Sequence, residues 1–291
     1  LEYRGYDSAG VAVLNGGTEV ARLRTVGKVA KLSEALMTTP TAGHLGIAHT
    51  RWATHGVPNE RNAHPHVSRD GVAIVHNGII ENHEELRTGL EKLGYEFASE
   101  TDTEVIAHRI HHHLGASKDL FTAVQKTVAE LRGAYSLAVM WGQDPDCIVL
   151  ARAGCPALIG IGQDENFVAS DIAALLPVTK TFIILEEGDV ACIRRKSIQI
   201  VDAGGRKVER APYVSQQSAE AAERGEFPHC MLKEIHEQPR AVAQTLSERV
   251  AGYKLSVQEA NQLLGTVGRL ELALGGHEID ATKHVLRGEK A

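Results

Sequence analysis

Two short segments about twenty residues apart hold the residue types best suited to chemistry: His49-Thr50-Arg51-Trp52-Ala53-Thr54-His55-Gly56 and His76-Asn77-Gly78-Ile79-Ile80-Glu81-Asn82. Arg51 carries a planar fork that matches a carboxylate with two parallel hydrogen bonds. Asp102, further along, is the natural acceptor for an ammonium group. One of each in loops of the same domain would hold the head group of a free α-amino acid. A surface arginine and a helix-capping aspartate are the plainer alternatives, and Thr103 and Glu104 make capping a ready explanation of Asp102. Asn77-Gly78 is the commonest tight-hairpin signal, so a turn is the first expectation there. The alternative is a pair of donors, the Asn77 side-chain amide and the Gly78 backbone N–H, aimed at an oxyanion.

Histidines and cysteines invite other chemistries. His49, His55, His64, His66 and His76 fall within 28 residues, and His108 and His112 have helical i,i+4 spacing. That spacing without the glutamate of H-E-x-x-H is a weak metal signal, and no metal is expected. His111 to His113 reads as a solvated helix end. Cys147 and Cys192 lie in strand-like runs and are expected to be buried and inert, while Cys155 stands at a turn and Cys230 lies past a polar stretch. None has a local cysteine–histidine signature.

The elements that must position these groups follow from periodicity. Gly46 to His49 and Val72 to His76 read as short buried strands leading into the two segments. Glu81 to Gly94 has helical spacing, with Leu86, Leu90 and Leu93 on one face. Thr101-Asp102-Thr103-Glu104 opens a helix reaching about Leu114, and another covers Asp119 to Leu131. Strands are expected at Tyr135–Met140, Cys147–Ala151, Leu158–Ile161, Phe167–Ala169, Phe182–Leu185, Val190–Ile193 and Ile198–Val201. The basic run Arg194-Arg195-Lys196 reads as a hairpin turn between the last two. Consecutive strands without crossover helices favour largely antiparallel sheets covered by helices, an α+β fold. The polar run Ser215 to Glu226 reads as a linker, with helix from Phe227 to Gln238 and again from Pro239, carrying Val242, Leu246 and Val250.

Bulk properties narrow the function. The 291 residues carry a net charge of −6, which argues against nucleic acid as the main partner. No apolar run approaches the roughly 20 residues of a membrane span. Four dispersed cysteines suit a reducing, cytoplasmic compartment.

Together the two segments, Leu1-Glu2-Tyr3-Arg4-Gly5-Tyr6-Asp7-Ser8-Ala9-Gly10, Asn62-Ala63-His64-Pro65-His66, Ser99-Glu100-Thr101-Asp102-Thr103-Glu104, Leu131-Arg132-Gly133-Ala134-Tyr135, Ala169-Ser170-Asp171, Leu185-Glu186-Glu187-Gly188-Asp189 and Lys233-Glu234-Ile235-His236-Glu237-Gln238-Pro239 resemble the glutamine–fructose-6-phosphate aminotransferase (isomerizing) family. The resemblance covers residues 1 to about 250. It implies a four-layer αββα sandwich of the N-terminal-nucleophile hydrolase type over residues 1–213, without its first strand. A linker at 214–226 and the helical start of a sugar isomerase domain at 227–291 would follow. It implies that an N-terminal cysteine attacks the glutamine side-chain amide with its own α-amino group as base. The ammonia released would convert fructose 6-phosphate to glucosamine 6-phosphate on the isomerase domain.

By motif, the resemblance assigns Arg51, Thr54 and His55 to the glutamine α-carboxylate and Asp102 to the α-ammonium. It gives Asn77 and Gly78 the oxyanion, Trp52 the passage of ammonia and Arg4 the orientation of the nucleophile. No cofactor is implied, and the full-length family members are expected to be homo-oligomers. This sequence opens at Leu1 and has no cysteine before Cys147. A fragment cut at both ends, inactive alone, is therefore the expectation. Other amidotransferases with the same glutaminase domain, and a catalytically dead glutamine-binding or scaffold module, are the alternatives.

Overall fold

The computed structural model describes residues 7–52, 56–216, 227 and 232–238. The chain divides into two units, 1–222 and 223–291. Among the described residues of the first, fourteen strands and four α-helices follow one another. They are β1 (Ser8–Leu14), β2 (Val20–Val26), α1 (Val29–Thr38), β3 (Leu45–Arg51), β4 (His66–Val67), β5 (Val72–Ile80), α2 (His83–Lys92), α3 (Asp102–Ser117) and α4 (Leu120–Val128). The second half is β6 (Gly133–Trp141), β7 (Asp144–Ala153), β8 (Leu158–Ile161), β9 (Asn166–Ala169), β10 (Thr181–Ile184), β11 (Val190–Arg194), β12 (Ser197–Val201), β13 (Lys207–Val208) and β14 (Tyr213–Val214).

The strands form a seven-stranded sheet in the order β13-β12-β11-β7-β6-β5-β4 and two smaller ones, β2-β1-β3 and β14-β10-β8-β9. Neighbouring strands in all three are antiparallel, as the run of uncrossed strands suggested. Alternation along β5, β6 and β7 explains the layering. Val72, Ile74, Leu137, Val139, Cys147 and Val149 face one core with α3 and α4. Ala73, Val75, Ala138, Met140, Ile148 and Leu150 face the other, shared with β1, β3, β8 and β10. On the far side, α1 packs on β1 and β2. A 3-10 turn at Ile172–Ala174 leads Leu175 and Leu176 onto Leu158 and Phe182 of the four-stranded sheet. The result is the expected αββα sandwich.

Several local expectations need correction. Asn77-Gly78 is not a turn: β5 continues through it to Ile80, paired with β6 so that Asn77 opposes Ser136 and Gly78 opposes Tyr135. A nine-residue ladder outweighs a two-residue turn preference. Leu90 is buried on α2 but Leu93 is half-exposed, because the helix stops at Lys92 and Leu93 leaves its apolar stripe. His111 to His113 do not form a solvated helix end. They precede the last turn of α3, with His111 bonded to Tyr95 and Asp70 and His113 to Glu130.

Arg195 and Lys196 make the two-residue turn of the anticipated hairpin, with Arg194 opposite Ser197. Elements without a counterpart among the expected ones include β1, β2 and α1. The first residue of the linker expected at 214–226 lies in the sheet: β14 includes Val214, and Ser215 N–H donates to the Lys180 carbonyl. Residues 232–238 are helical. The helix expected from Pro239 lies outside the described residues.

Candidate glutamine-binding site

The two motif-bearing strands meet because of parity. Ile47 of β3 faces the core shared with the large sheet, so His49 and Arg51, two and four residues on, face the same way. On β5, Asn77 shares the orientation of Ala73 and Val75 toward that same layer. His49 Nε2 accordingly lies 2.8 Å from Asn77 Oδ1. His76 has the opposite parity and meets α3, where its Nδ1 lies 2.9 Å from Thr103 Oγ1.

Between these strands and the start of α3 lies a cavity of about 140 Å3, lined among others by Arg51, Trp52, Asn77, Gly78 and Asp102. Five candidate residues separated by up to 51 positions therefore share one small chamber. Trp52 is mostly exposed. Thr54, His55 and Arg4 lie outside the described residues.

Arg51 is only 3% exposed, so it is not a surface arginine. One of its terminal nitrogens donates to the Gly56 carbonyl at 3.1 Å, and the guanidinium approaches Asp7 at 4.0 Å. Burial lowers its pKa, against the opposing pull of Asp7 and Asp102. Asp102 is also buried. It does not cap α3: Thr101 does, its hydroxyl accepting from Glu104 N–H. Asp102 instead accepts from the Ile80 N–H at 2.9 Å, which fixes one carboxylate oxygen at the end of β5. Gly78 has φ of +126°, and a Cβ there would collide with the Ala134 carbonyl. Only glycine can bring the backbone past β6 in that conformation.

A polar network backs the cavity. His64 Nε2 and His76 Nδ1 both bond Thr103 Oγ1, His66 Nε2 bonds Thr101 Oγ1, and His108 bonds Ser68. Of the histidines that suggested metal ligation, His64, His66, His76 and His108 are thus bonded to hydroxyls and His49 to the Asn77 amide. Among the described residues no three His, Cys, Asp or Glu side chains converge as a metal site.

Asn62, fully buried, clips the loop after Arg51 to the loop before α3. Its amide donates to the Val57 carbonyl and Glu100 Oε2, and its oxygen accepts from Glu100 N–H, each at 3.0 Å. Asn62→Ala strands a buried N–H and a carbonyl, so thermal or urea unfolding should show a loss of about 2 kcal/mol. Loosening the Gly56 carbonyl beside Arg51 should also weaken ligand binding a few-fold, by roughly 1 kcal/mol. Unchanged stability would dismiss this clip.

From the sequence His49 reads only as a candidate metal ligand, Thr103 only as a capping residue and Asn62 only as part of a motif, so their roles around the cavity come from the structure. Strand parity on β3 and β5 could have paired His49 with Asn77. No periodic signal marks a loop asparagine such as Asn62.

Among the described cysteines, Cys147 and Cys192 stand on β7 and β11 with sulfurs 3.1 Å apart. Cys192 is partly rather than fully buried. Burial raises the Cys155 thiol pKa. None of the three lines the cavity.

Residues 49–177 match the glutamine amidotransferase domain family. The chain is 54% identical over 280 residues to the glutamine–fructose-6-phosphate aminotransferase of Pseudomonas aeruginosa, covering 95% of this chain and 46% of that protein. It is 57% identical over 251 residues to the Shewanella oneidensis protein of the same name, covering 86% and 41%. The chain thus spans rather less than half the length of these curated relatives. Among solved structures, the glutamine phosphoribosylpyrophosphate amidotransferase from B. subtilis shares the fold, with a TM-score of 0.60 at 24% identity over 69% of this chain and 44% of that one. No helix among the described residues is long and apolar enough to cross a membrane. By its sequence, the chain belongs to the glutamine–fructose-6-phosphate aminotransferase family, with a glutamine amidotransferase domain that folds as an N-terminal-nucleophile hydrolase sandwich.

Proposed function

We propose that this chain is the glutamine-hydrolysing half of an enzyme that converts fructose 6-phosphate and glutamine to glucosamine 6-phosphate and glutamate. The observation that carries the reading is the shared cavity of Arg51, Asp102, Asn77 and Gly78. Glutamine enters head first. Its α-carboxylate lies on the Arg51 fork, with Thr54 and His55 assisting, and its α-ammonium lies against Asp102. The side-chain carbonyl then reaches Asn77 and Gly78, which stabilise the oxyanion formed on attack. Cys147, Cys155 and Cys192 are not the attacking thiol, since none of them lines the cavity.

Trp52, at the cavity wall, controls the exit of ammonia, and Arg4 orients the nucleophile. Fructose 6-phosphate is the acceptor on the isomerase part of the whole protein, which works as a homo-oligomer in the cytoplasm. These assignments are supported by the relatives' names and by the match of each residue to its motif.

Asp102→Asn tests the head-group clamp. Asparagine keeps an oxygen for the Ile80 N–H, so the fold is preserved while the negative charge is lost. Calorimetric titration of the 291-residue chain with L-glutamine should show binding weakened about thirtyfold, roughly 2 kcal/mol. Equal affinities for the variant and the unsubstituted chain, or no binding by the latter, would refute the assignment.

A further inference from the structure

A carboxamide presents an acceptor on one side and a donor on the other, and a half-turn of the side chain exchanges them. If Asn77 serves an oxyanion, its NH2 must face the cavity, so something must hold its oxygen the other way. The partner of that oxygen is His49 Nε2, at 2.8 Å. A neutral imidazole has a single N–H, on one nitrogen or the other. The His49 ring lines the cavity, yet its Nδ1 is closed off from solvent and has no hydrogen-bond partner among the described residues. A proton on Nδ1 would be a buried donor without a hydrogen bond of ordinary geometry, the His76 backbone being the ring's other polar neighbour. On Nε2 it has the Asn77 oxygen.

The ring is fixed from behind as well. His49 packs at a tilt on His64, with ring centroids 4.4 Å apart, and His64 Nε2 is held 2.8 Å from Thr103 Oγ1. Thr103 stands in the first turn of α3, beside Asp102. The element that supplies the head-group carboxylate thus also supports the ring that orients the far donor. Desolvation, which lowers the His49 pKa to about 4, keeps the ring neutral at physiological pH.

We propose that His49 is a positioning residue: as the Nε2–H tautomer it donates to Asn77 Oδ1 and locks the Asn77 carboxamide with its NH2 group toward the substrate carbonyl. This rests on the glutamine reading of the cavity.

The test compares L-glutamine with L-norvaline, which keeps the same head group and three side-chain carbons but lacks the amide. In the unsubstituted chain, glutamine should bind about tenfold more tightly. In His49→Phe that preference should fall to within about twofold of unity, while norvaline affinity stays within about twofold of its starting value. His49→Gln, whose amide can again donate to Asn77 Oδ1, should recover at least part of the preference.

On the unsubstituted chain, long-range 1H–15N correlation spectra should show His49 protonated at Nε2 and bare at Nδ1. The Asn77 NH2 resonances should shift with glutamine and not with norvaline. A proton on Nδ1, or a preference unchanged by His49→Phe, would overturn the proposal. Failure of the unsubstituted chain to prefer glutamine would instead bring down the glutamine reading, and this inference with it. If His49→Phe does not fold, the tautomer measurement decides alone.

Discussion

Arg51→Ala is expected to weaken L-glutamine binding about a thousandfold, on the order of 4 kcal/mol, taking it out of calorimetric range. The size follows from where the guanidinium sits. It is 3% exposed, so a ligand carboxylate meets it away from water, where charge-assisted bonds are at their strongest. Alanine removes both arms of the fork and leaves the ligand carboxylate desolvated and unmatched.

Arg51→Lys separates charge from geometry. It retains the positive charge but offers a point donor, so an intermediate loss of about thirtyfold, roughly 2 kcal/mol, is expected. Arg51 also donates to the Gly56 carbonyl, so a thermal melt on each variant establishes that the cavity survives. Binding by Arg51→Ala within threefold of the unsubstituted chain (under about 1 kcal/mol) would show that the carboxylate is recognised elsewhere.

The architecture was largely readable because apolar alternation is a local signal. The runs at Gly46–His49 and Val72–His76 sit inside β3 and β5, and Leu158–Ile161 is β8 to the residue. The site was readable only in part. Arg51 stood out because an arginine between histidine and tryptophan has no place in an apolar stripe, and Asp102 because of its charge. Asn77-Gly78 was ambiguous because a turn dipeptide and an oxyanion donor pair have the same spelling. Pairing with β6, decided more than fifty residues downstream, resolves it as strand.

The histidines were harder still. His64 and His76 meet on one hydroxyl, Thr103, from 39 and 27 residues away, and no local window contains that junction. Clustered in sequence, they suggest a metal; folded, His64 and His76 share one hydroxyl, His66 takes another and His49 takes an amide. The clip made by Asn62 is invisible for the same reason, since its partner Glu100 lies 38 residues on.

That buried network makes the fold acid-sensitive in a window that opens above the carboxylate range. Burial holds the pKa of His64 and His66 well below the usual 6.5 and that of His49 at about 4. Neighbouring arginines push the same way for all three, and neighbouring histidines do so for His49 and His64. In the unfolded chain these rings titrate normally, near 6.5. Between about pH 6.5 and 4 the unfolded state therefore binds more protons than the folded one, and lowering the pH favours unfolding. Stability is complete above about 6.5 and is lost as pH falls through this interval.

His49 alone, offset from 6.5 to about 4, corresponds to roughly 3 kcal/mol by the bottom of the window, and His64 and His66 add in the same direction. Urea midpoints between pH 7.5 and 5, above the ordinary carboxylate range, should be level at first and then fall ever more steeply. His64→Gln, which keeps an amide to bond Thr103 but cannot take up a proton, should flatten that fall by about one proton's worth of slope. A midpoint constant down to pH 5 would mean that the rings titrate as freely in the folded protein as in the unfolded chain, which their enclosure between β3, β5 and α3 forbids.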